Sequence, residues 1–155
     1  LTAPPDAILL QRRLSGPLPA CVLPDDLAFG SFDPLRDPPA VHVLLRRAYA
    51  SGGGEVADFD TWWPGLLSDP EFDPGLVFLV SDGAELAGVA QCWTSGFIKD
   101  LAVRADLRGQ GIGTALLARC FSAFVARGLE TVSLKVRGDN PAAERLYRRI
   151  GMIDA

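Results

Sequence analysis

Three glycines at alternate positions, Gly109, Gly111 and Gly113, stand between a strand-like run and a long amphipathic stretch. No other segment narrows the choice of folds as much. Phe97 to Val103 precedes the glycines with a β-like pattern. Gly111 to Arg127 reads as a helix with Ile112, Ala115, Leu116, Phe121, Phe124 and Val125 broadly on one side and Gly128 after its end. Thr131 to Val136 is a further strand. A strand–helix–strand passage calls for a parallel crossover. Glycine at the mouth of the helix lets a ligand approach the backbone closely. The unpaired N–H groups of the first helical turn carry partial positive charge, and a diphosphate best matches such a row of donors. Arg108 adds a fixed charge beside them.

The rest of the chain supplies a sheet and three more helices. Pro4, Pro5, Pro17, Pro19, Pro24, Pro34, Pro38 and Pro39 leave room early on for short extended pieces only, Ala7 to Leu14 and Leu27 to Phe32. From Ala40, the spacing of Val41, Leu44, Leu45 and Ala48 predicts an amphipathic helix. Ser51-Gly52-Gly53-Gly54 ends it and reads as a helix stop with a flexible linker, because no Gly-Lys-Ser/Thr follows. Asp60 or Thr61 caps a second short helix to about Ser68. Leu76 to Ser81 and Glu85 to Trp93 form a hairpin around Ser81-Asp82-Gly83-Ala84. Asn140-Pro141 opens the last helix with an N-cap and a proline at its first position, and Gly151 ends it. The expectation is one α/β domain over 1–155 without internal repeats. Its sheet is mixed and mostly antiparallel, and 1–26 is a proline-rich extension.

Composition excludes several classes. With 155 residues, 48% hydrophobic and 22% charged, the chain can bury a core and is not compositionally disordered. A net charge of −4 argues against a protein that coats nucleic acid. Cys21, Cys92 and Cys120 lie far apart, which fits neither a disulfide framework nor a metal site and suits a reducing compartment. The early apolar run Ala7 to Leu10 is too short for a membrane span or a signal segment. A cytoplasmic protein with no metal, no membrane and no nucleic-acid partner is the expectation.

The glycine segment has three readings. A dinucleotide-binding turn wants its glycines directly after the strand and an acid ending the next one. Here about seven residues intervene, and Glu130 begins the next strand instead. A Walker loop lacks its lysine. The third is the Arg-x-x-Gly-x-Gly pyrophosphate loop of acyl-CoA-dependent N-acyltransferases. Lys99-Asp100-Leu101-Ala102-Val103 with Arg108 to Leu117, and Leu134-Lys135-Val136 with Asp139-Asn140-Pro141-Ala142-Ala143 and Leu146-Tyr147-Arg148-Arg149-Ile150-Gly151-Met152, resemble the two main motifs of the Gcn5-related N-acetyltransferase (GNAT) superfamily. Met152 stands where that family usually has Phe.

The resemblance implies that the strands Phe97–Val103 and Thr131–Val136 splay apart. Amides of Arg108, Gly109, Gln110, Gly111, Ile112, Gly113 and Thr114 would hold the pyrophosphate of acetyl-CoA. Leu101, Ala102 and Val103 would pair with its pantetheine arm as an added strand, and an N–H near Leu101 or Val103 would polarise the thioester carbonyl. Asn140 and Tyr147 would lie near the thioester sulfur, with Tyr147 protonating the departing thiolate. The implied reaction is direct acetyl transfer to a primary amine in a ternary complex. Its alternative is a non-catalytic acyl-CoA-binding sensor or interaction module of the same fold.

The general base is less defined. Lys99 stands where an acid is common, and Asp100 is the adjacent candidate; strand alternation keeps the two from both facing the cleft. His42 reads as a surface or partly buried helix residue. Glu55, Asp58 and Asp60 fall where the family builds its acceptor wall, and Trp62, Trp63 and Trp93 are candidates to line it. Cys92 and Cys120 read as packing residues. After the last helix too little chain remains for the usual strands, so either Ala7 to Leu14 or a partner chain, as in a homodimer, completes the sheet.

Overall fold

Between the early prolines one seven-residue run is free to extend, and it forms β1 (Ala7–Arg13) in the computed structural model, which describes residues 6–155. Pro4 and Pro5 lie outside the described residues. The chain continues through β2 (Ala28–Ser31), α1 (Pro38–Tyr49), α2 (Phe59–Ser68), β3 (Phe72–Ser81), β4 (Leu86–Trp93) and β5 (Phe97–Val103). A single 3-10 turn at Ala105–Leu107 leads into α3 (Ile112–Ala126), β6 (Thr131–Arg137), α4 (Pro141–Arg149) and β7 (Ile153–Asp154).

The strands form one sheet in the order β2-β3-β4-β5-β6-β1-β7. Every neighbouring pair is antiparallel except β5 and β6, the pair bridged by the α3 crossover. β1 pairs with β6 along its whole length, from Ala7 opposite Arg137 to Arg13 opposite Thr131, and so occupies the edge left open after the last helix.

Helices cover both faces because the strands alternate apolar side chains on both. Leu76 and Val80 of β3 join Ala87 and Ala90 in a core with Ile112, Leu116, Phe121 and Phe124 of α3. Val77, Leu79 and Val89 point the other way, onto Val41, Leu44 and Leu45 of α1 and Trp62 and Leu66 of α2. The α3 face is broader than its spacing suggests. Leu117, Ala118 and Cys120 are buried as well, whereas Val125, grouped with the core from sequence, is exposed.

Several boundaries differ from the sequence reading. α1 begins at Pro38, since a proline is tolerated in a first turn where no N–H is needed. The N-cap of α2 is Asp58, not Asp60 or Thr61, and Pro64 lies within that helix. β3 starts at Phe72, and its register against β4 is irregular between Phe72 and Val77, around Pro74. The β3–β4 turn is as expected: Asp82 donates its amide to the Glu85 carbonyl at 3.2 Å, and Gly83 has φ +93°.

The feature that matters for a site is the junction of β5 and β6. Their parallel pairing extends only over Phe97 opposite Ser133 and Ile98 opposite Leu134, after which the strands part. On its other side β5 carries a bulge. Cys92 opposes Ile98 and Gln91 opposes Asp100, so Lys99 is the extra residue. The bulge reverses the alternation: Ile98 packs with the α3 core, while Asp100 and Ala102 face α1.

Candidate active site

The glycine loop is shaped by two left-handed residues. Gly109 has φ +79° and Gly111, the N-cap of α3, has φ +83°, and a Cβ on either would meet nothing within 4 Å. Glycine is needed there for conformation, and the space above the backbone is open. Gly113 has a different task, because a Cβ there would come within 3.1 Å of Leu146, so it allows α3 and α4 to approach. The first intrahelical amide bond is Ala115 N–H to Gly111 O at 3.0 Å, and the amides of Ile112, Gly113 and Thr114 lie ahead of it at the positive end of the helix. The Arg108 guanidinium hangs over the loop within 3.4 Å of the Val103 carbonyl.

The open edge of β5 continues this row of donors. Arg104 donates its amide to Ala87 on β4 at 2.8 Å, so by alternation Val103 and Leu101 turn theirs away from β4, into the gap beside β6. The loop, this edge and the start of α4 enclose a cleft of about 540 Å³. Of the residues singled out from sequence, Leu101, Ala102, Val103, Arg108, Gly109, Gly111, Ile112, Gly113, Thr114, Asn140 and Tyr147 line it. Gln110 does not, and neither does Asp100. A much smaller cavity of about 50 Å³ lies in the parting of β5 and β6, bounded by Lys99, Leu101, Leu134, Tyr49 and Tyr147 among others.

α4 contributes its N-terminus and one face. Asn140 accepts the Ala143 amide at 3.2 Å, with Pro141 behind it, as an N-cap should. We expect Asn140→Ala to cost about 1 kcal/mol of stability, read as a lower urea midpoint at unchanged slope. Tyr147 is buried, and its hydroxyl has no hydrogen-bond partner among the described residues while facing the cleft. Burial, the Asp100 charge and Cys120 together hold this phenol well above its ordinary range, so it stays protonated.

Asp100 sits behind the cleft wall. It is 7% exposed; its Oδ1 accepts from the Tyr49 hydroxyl at 2.8 Å, and its Oδ2 lies 3.2 Å from Lys99 Nζ. Lys99 borders the small cavity, Asp100 borders neither, and neither residue lines the cleft itself. The bulge is the reason, since it turns Asp100 toward α1 and leaves the long lysine to reach back over it.

The remaining candidates take structural positions. His42 is buried, more deeply than expected, with Nε2 2.7 Å from the Ala57 carbonyl. Its ring packs on Phe59 and Trp62. Trp62 and Trp63 both join that aromatic group, with ring centres 5.9 Å apart, and Trp93 packs beside it; no tryptophan borders the cleft. Glu55 reaches Arg137 at 3.4 Å, Asp58 starts α2, and Asp60 lies in its first turn. The Cys92 and Cys120 thiols are buried 3.4 Å apart, where burial pushes Cys120 far up and keeps it a thiol.

Two parts of the site were missed from sequence. Ser51 and Gly52 border the cleft and Gly53 the small cavity, so the triple glycine is a wall where a flexible linker was expected. Gly52 and Gly53 have φ +108° and +86°, and a Cβ there would meet Asp139 at 2.9 Å and Asn140 at 2.8 Å. The other is Tyr49, at the end of α1, which borders both cavities. Its spacing from Val41 and Leu45 puts it on the same side of α1 as they are, but nothing in that spacing reveals a partner 51 residues away.

Comparison with known proteins agrees with this arrangement. A model of the acetyltransferase (GNAT) family matches residues 39–152. The chain belongs to that family. Mycothiol acetyltransferases are among its relatives: that of Thermobispora bispora is 32% identical over 92% of this chain and 52% of its own length. That of Streptomyces coelicolor is 31% identical over 93% and 48%. The chain thus spans about half the length of the curated relatives it matches. Among solved structures, a GCN5-related N-acetyltransferase from Sphaerobacter thermophilus superposes with a TM-score of 0.81 at 29% identity, over 99% of this chain and 50% of that one. The ribosomal-protein-S18-alanine N-acetyltransferase of Escherichia coli gives 0.66 at 26% identity, over 83% and 79%. The mixed, mostly antiparallel GNAT sheet with its parted central strands is therefore the fold of this chain. Among the described residues no helix is long and apolar enough to cross a membrane.

Proposed function

We propose that this GNAT chain transfers an acetyl group from acetyl-CoA to a primary amine. The observation that carries this is that one cleft is bordered both by the glycine loop with the first turn of α3 and by the β5 edge at Leu101 and Val103 that points away from β4. The loop amides and Arg108 suit the pyrophosphate, and the β5 edge suits the pantetheine arm as an added strand. Leu101 N–H or Val103 N–H is the donor for the thioester carbonyl, and Tyr147 is the proton donor to the leaving thiolate. Asn140 fixes where the α4 end of the site begins.

The acceptor used by a mycothiol acetyltransferase is the first to test, because relatives of that name match most of this chain. With this reading go the cytoplasmic setting and the lack of a nucleic-acid partner expected from cysteine usage and the acidic balance.

Calorimetric titration with acetyl-CoA tests the donor site. Saturable binding, weakened about tenfold or more by Arg108→Ala through loss of one charge-assisted contact, is the expected result. A folded chain with no heat of binding overturns the assignment. Thiol release with the mycothiol-pathway acceptor, glucosamine, spermidine and an alanine-headed peptide then tests transfer. The second reading, an acyl-CoA-binding module without turnover, is favoured by one observation: the Asp100 carboxylate is engaged by Lys99 and lies outside the cleft. Binding without thiol release from any of these amines would support it.

A further inference from the structure

We propose that Tyr49 is a catalytic residue of this site, taking the proton of the attacking amine while handing its own to Asp100. The inference rests on the acetyltransferase reading above and assigns the base that reading leaves open.

The only carboxylate on β5 is not in contact with the cleft; Tyr49 connects the two. Tyr49 borders the main cleft and the small cavity alike, together with Leu101 and Tyr147, and so stands between the cleft and the buried Asp100. The Tyr49 hydroxyl donates to Asp100 Oδ1 at 2.8 Å, a distance within reach for proton transfer. The Leu101 amide and Tyr147 are both close enough to influence the Tyr49 phenol. Burial and the Asp100 charge hold it far above the ordinary phenol range, so Tyr49 does not ionise by itself and acts by passing a proton through.

Three neighbours keep the pair in place. Gly54 leaves room for the ring: a Cβ there would come within 2.8 Å of Tyr49 Cε1. Lys99 Nζ lies 3.2 Å from Asp100 Oδ2, so the ion pair holds the second carboxylate oxygen while Oδ1 faces Tyr49. Gln91 stands directly opposite Asp100 on β4, 3% exposed, and among the described residues its Oε1 has no hydrogen-bond partner. A protonated Asp100 is a donor of the kind this buried acceptor lacks.

The step balances. As the amine nitrogen forms its bond to the thioester carbon, its N–H proton moves to Tyr49 Oη and the Tyr49 proton moves to Asp100 Oδ1. The C–S bond breaks and its electron pair leaves on sulfur, which takes the Tyr147 proton. Asp100 returns its proton to solvent once the product has gone, and Tyr147 regains one from solvent.

Tyr49→Phe removes one oxygen and keeps the ring. The variant should bind acetyl-CoA within about threefold of wild type, and its kcat on the best amine of the panel should fall by about a hundredfold, the low end of what a positioned acid–base group contributes. Asp100→Asn should lower kcat similarly. The double variant should lose no more than either single one, since the two groups act as a unit. A Tyr49→Phe kcat within about threefold of wild type, or losses that multiply in the double variant, overturns the relay alone. Wild-type protein that neither binds acetyl-CoA nor releases thiol overturns the acetyltransferase reading, and the relay with it.

Discussion

Gly111→Val should weaken acetyl-CoA binding by about a hundredfold or more. Gly111 is the N-cap of α3 at φ +83°, a region a β-branched residue occupies only with strain. To escape it the peptide must turn, and the amides of the following turn then lose their common direction. Each hydrogen bond to a charged group contributes about 1.5–3 kcal/mol, so two misdirected amides account for about 3–6 kcal/mol. The Cβ also enters the open space above the loop. Gly128→Ala is the control: φ is +78° at the far end of the same helix, and its Cβ also meets nothing. Both variants should unfold at lower denaturant, but only Gly111→Val should lose ligand heat in calorimetry. Equal affinity in Gly111→Val and wild type would remove the loop from the site.

Tyr147→Phe should lower kcat by about a hundredfold or more while leaving KM for acetyl-CoA within a few fold, the pattern of an interaction made only in the transition state. The ring is packed in the α3 core and the hydroxyl has no hydrogen-bond partner among the described residues, so phenylalanine keeps the fold and removes only the proton source. The pH dependence has a definite sign. Tyr147 ordinarily loses its proton near pH 10, and burial with the Asp100 charge raises that value. A raised value keeps the acid form present to higher pH, so kcat should show no alkaline fall from this group below pH 10. A phenylalanine variant with wild-type kcat would assign the protonation of the thiolate to solvent.

The parts of the site that sequence reveals are those where backbone conformation dictates residue type. Gly109 and Gly111 are legible because only glycine takes those dihedrals without strain, and Asn140-Pro141 because a cap and a first-turn proline are local requirements. β5 was delimited correctly, yet its faces were not. Strict alternation overlooks a bulge, and the residue inserted at Lys99 follows from the partner strand's register, which no local pattern encodes. The triple glycine was misjudged for a related reason. Its left-handed angles resemble those of any linker, and only Asp139 and Asn140, arriving from the other end of the chain, reveal why side chains are excluded. Tyr49 and Asp100 meet through tertiary packing alone. Trp62, Trp63 and Trp93, candidates for the acceptor wall, pack instead in one aromatic cluster, where only tertiary structure shows that a single environment takes both neighbours on α2.

Where β5 and β6 part, the sheet has a seam. Four strands lie on one side and three on the other, and within the sheet two residue pairs join them, while the α3 core packs under both halves. Such a seam is the place where opening costs least, so amide hydrogens along it should exchange with solvent well before those in the middle of either half. A molecule that lies in the gap and bonds to the β5 edge acts as a splint. Its binding energy is added to the cohesion of the two halves, so melting temperature should rise with the concentration and affinity of whatever occupies the gap.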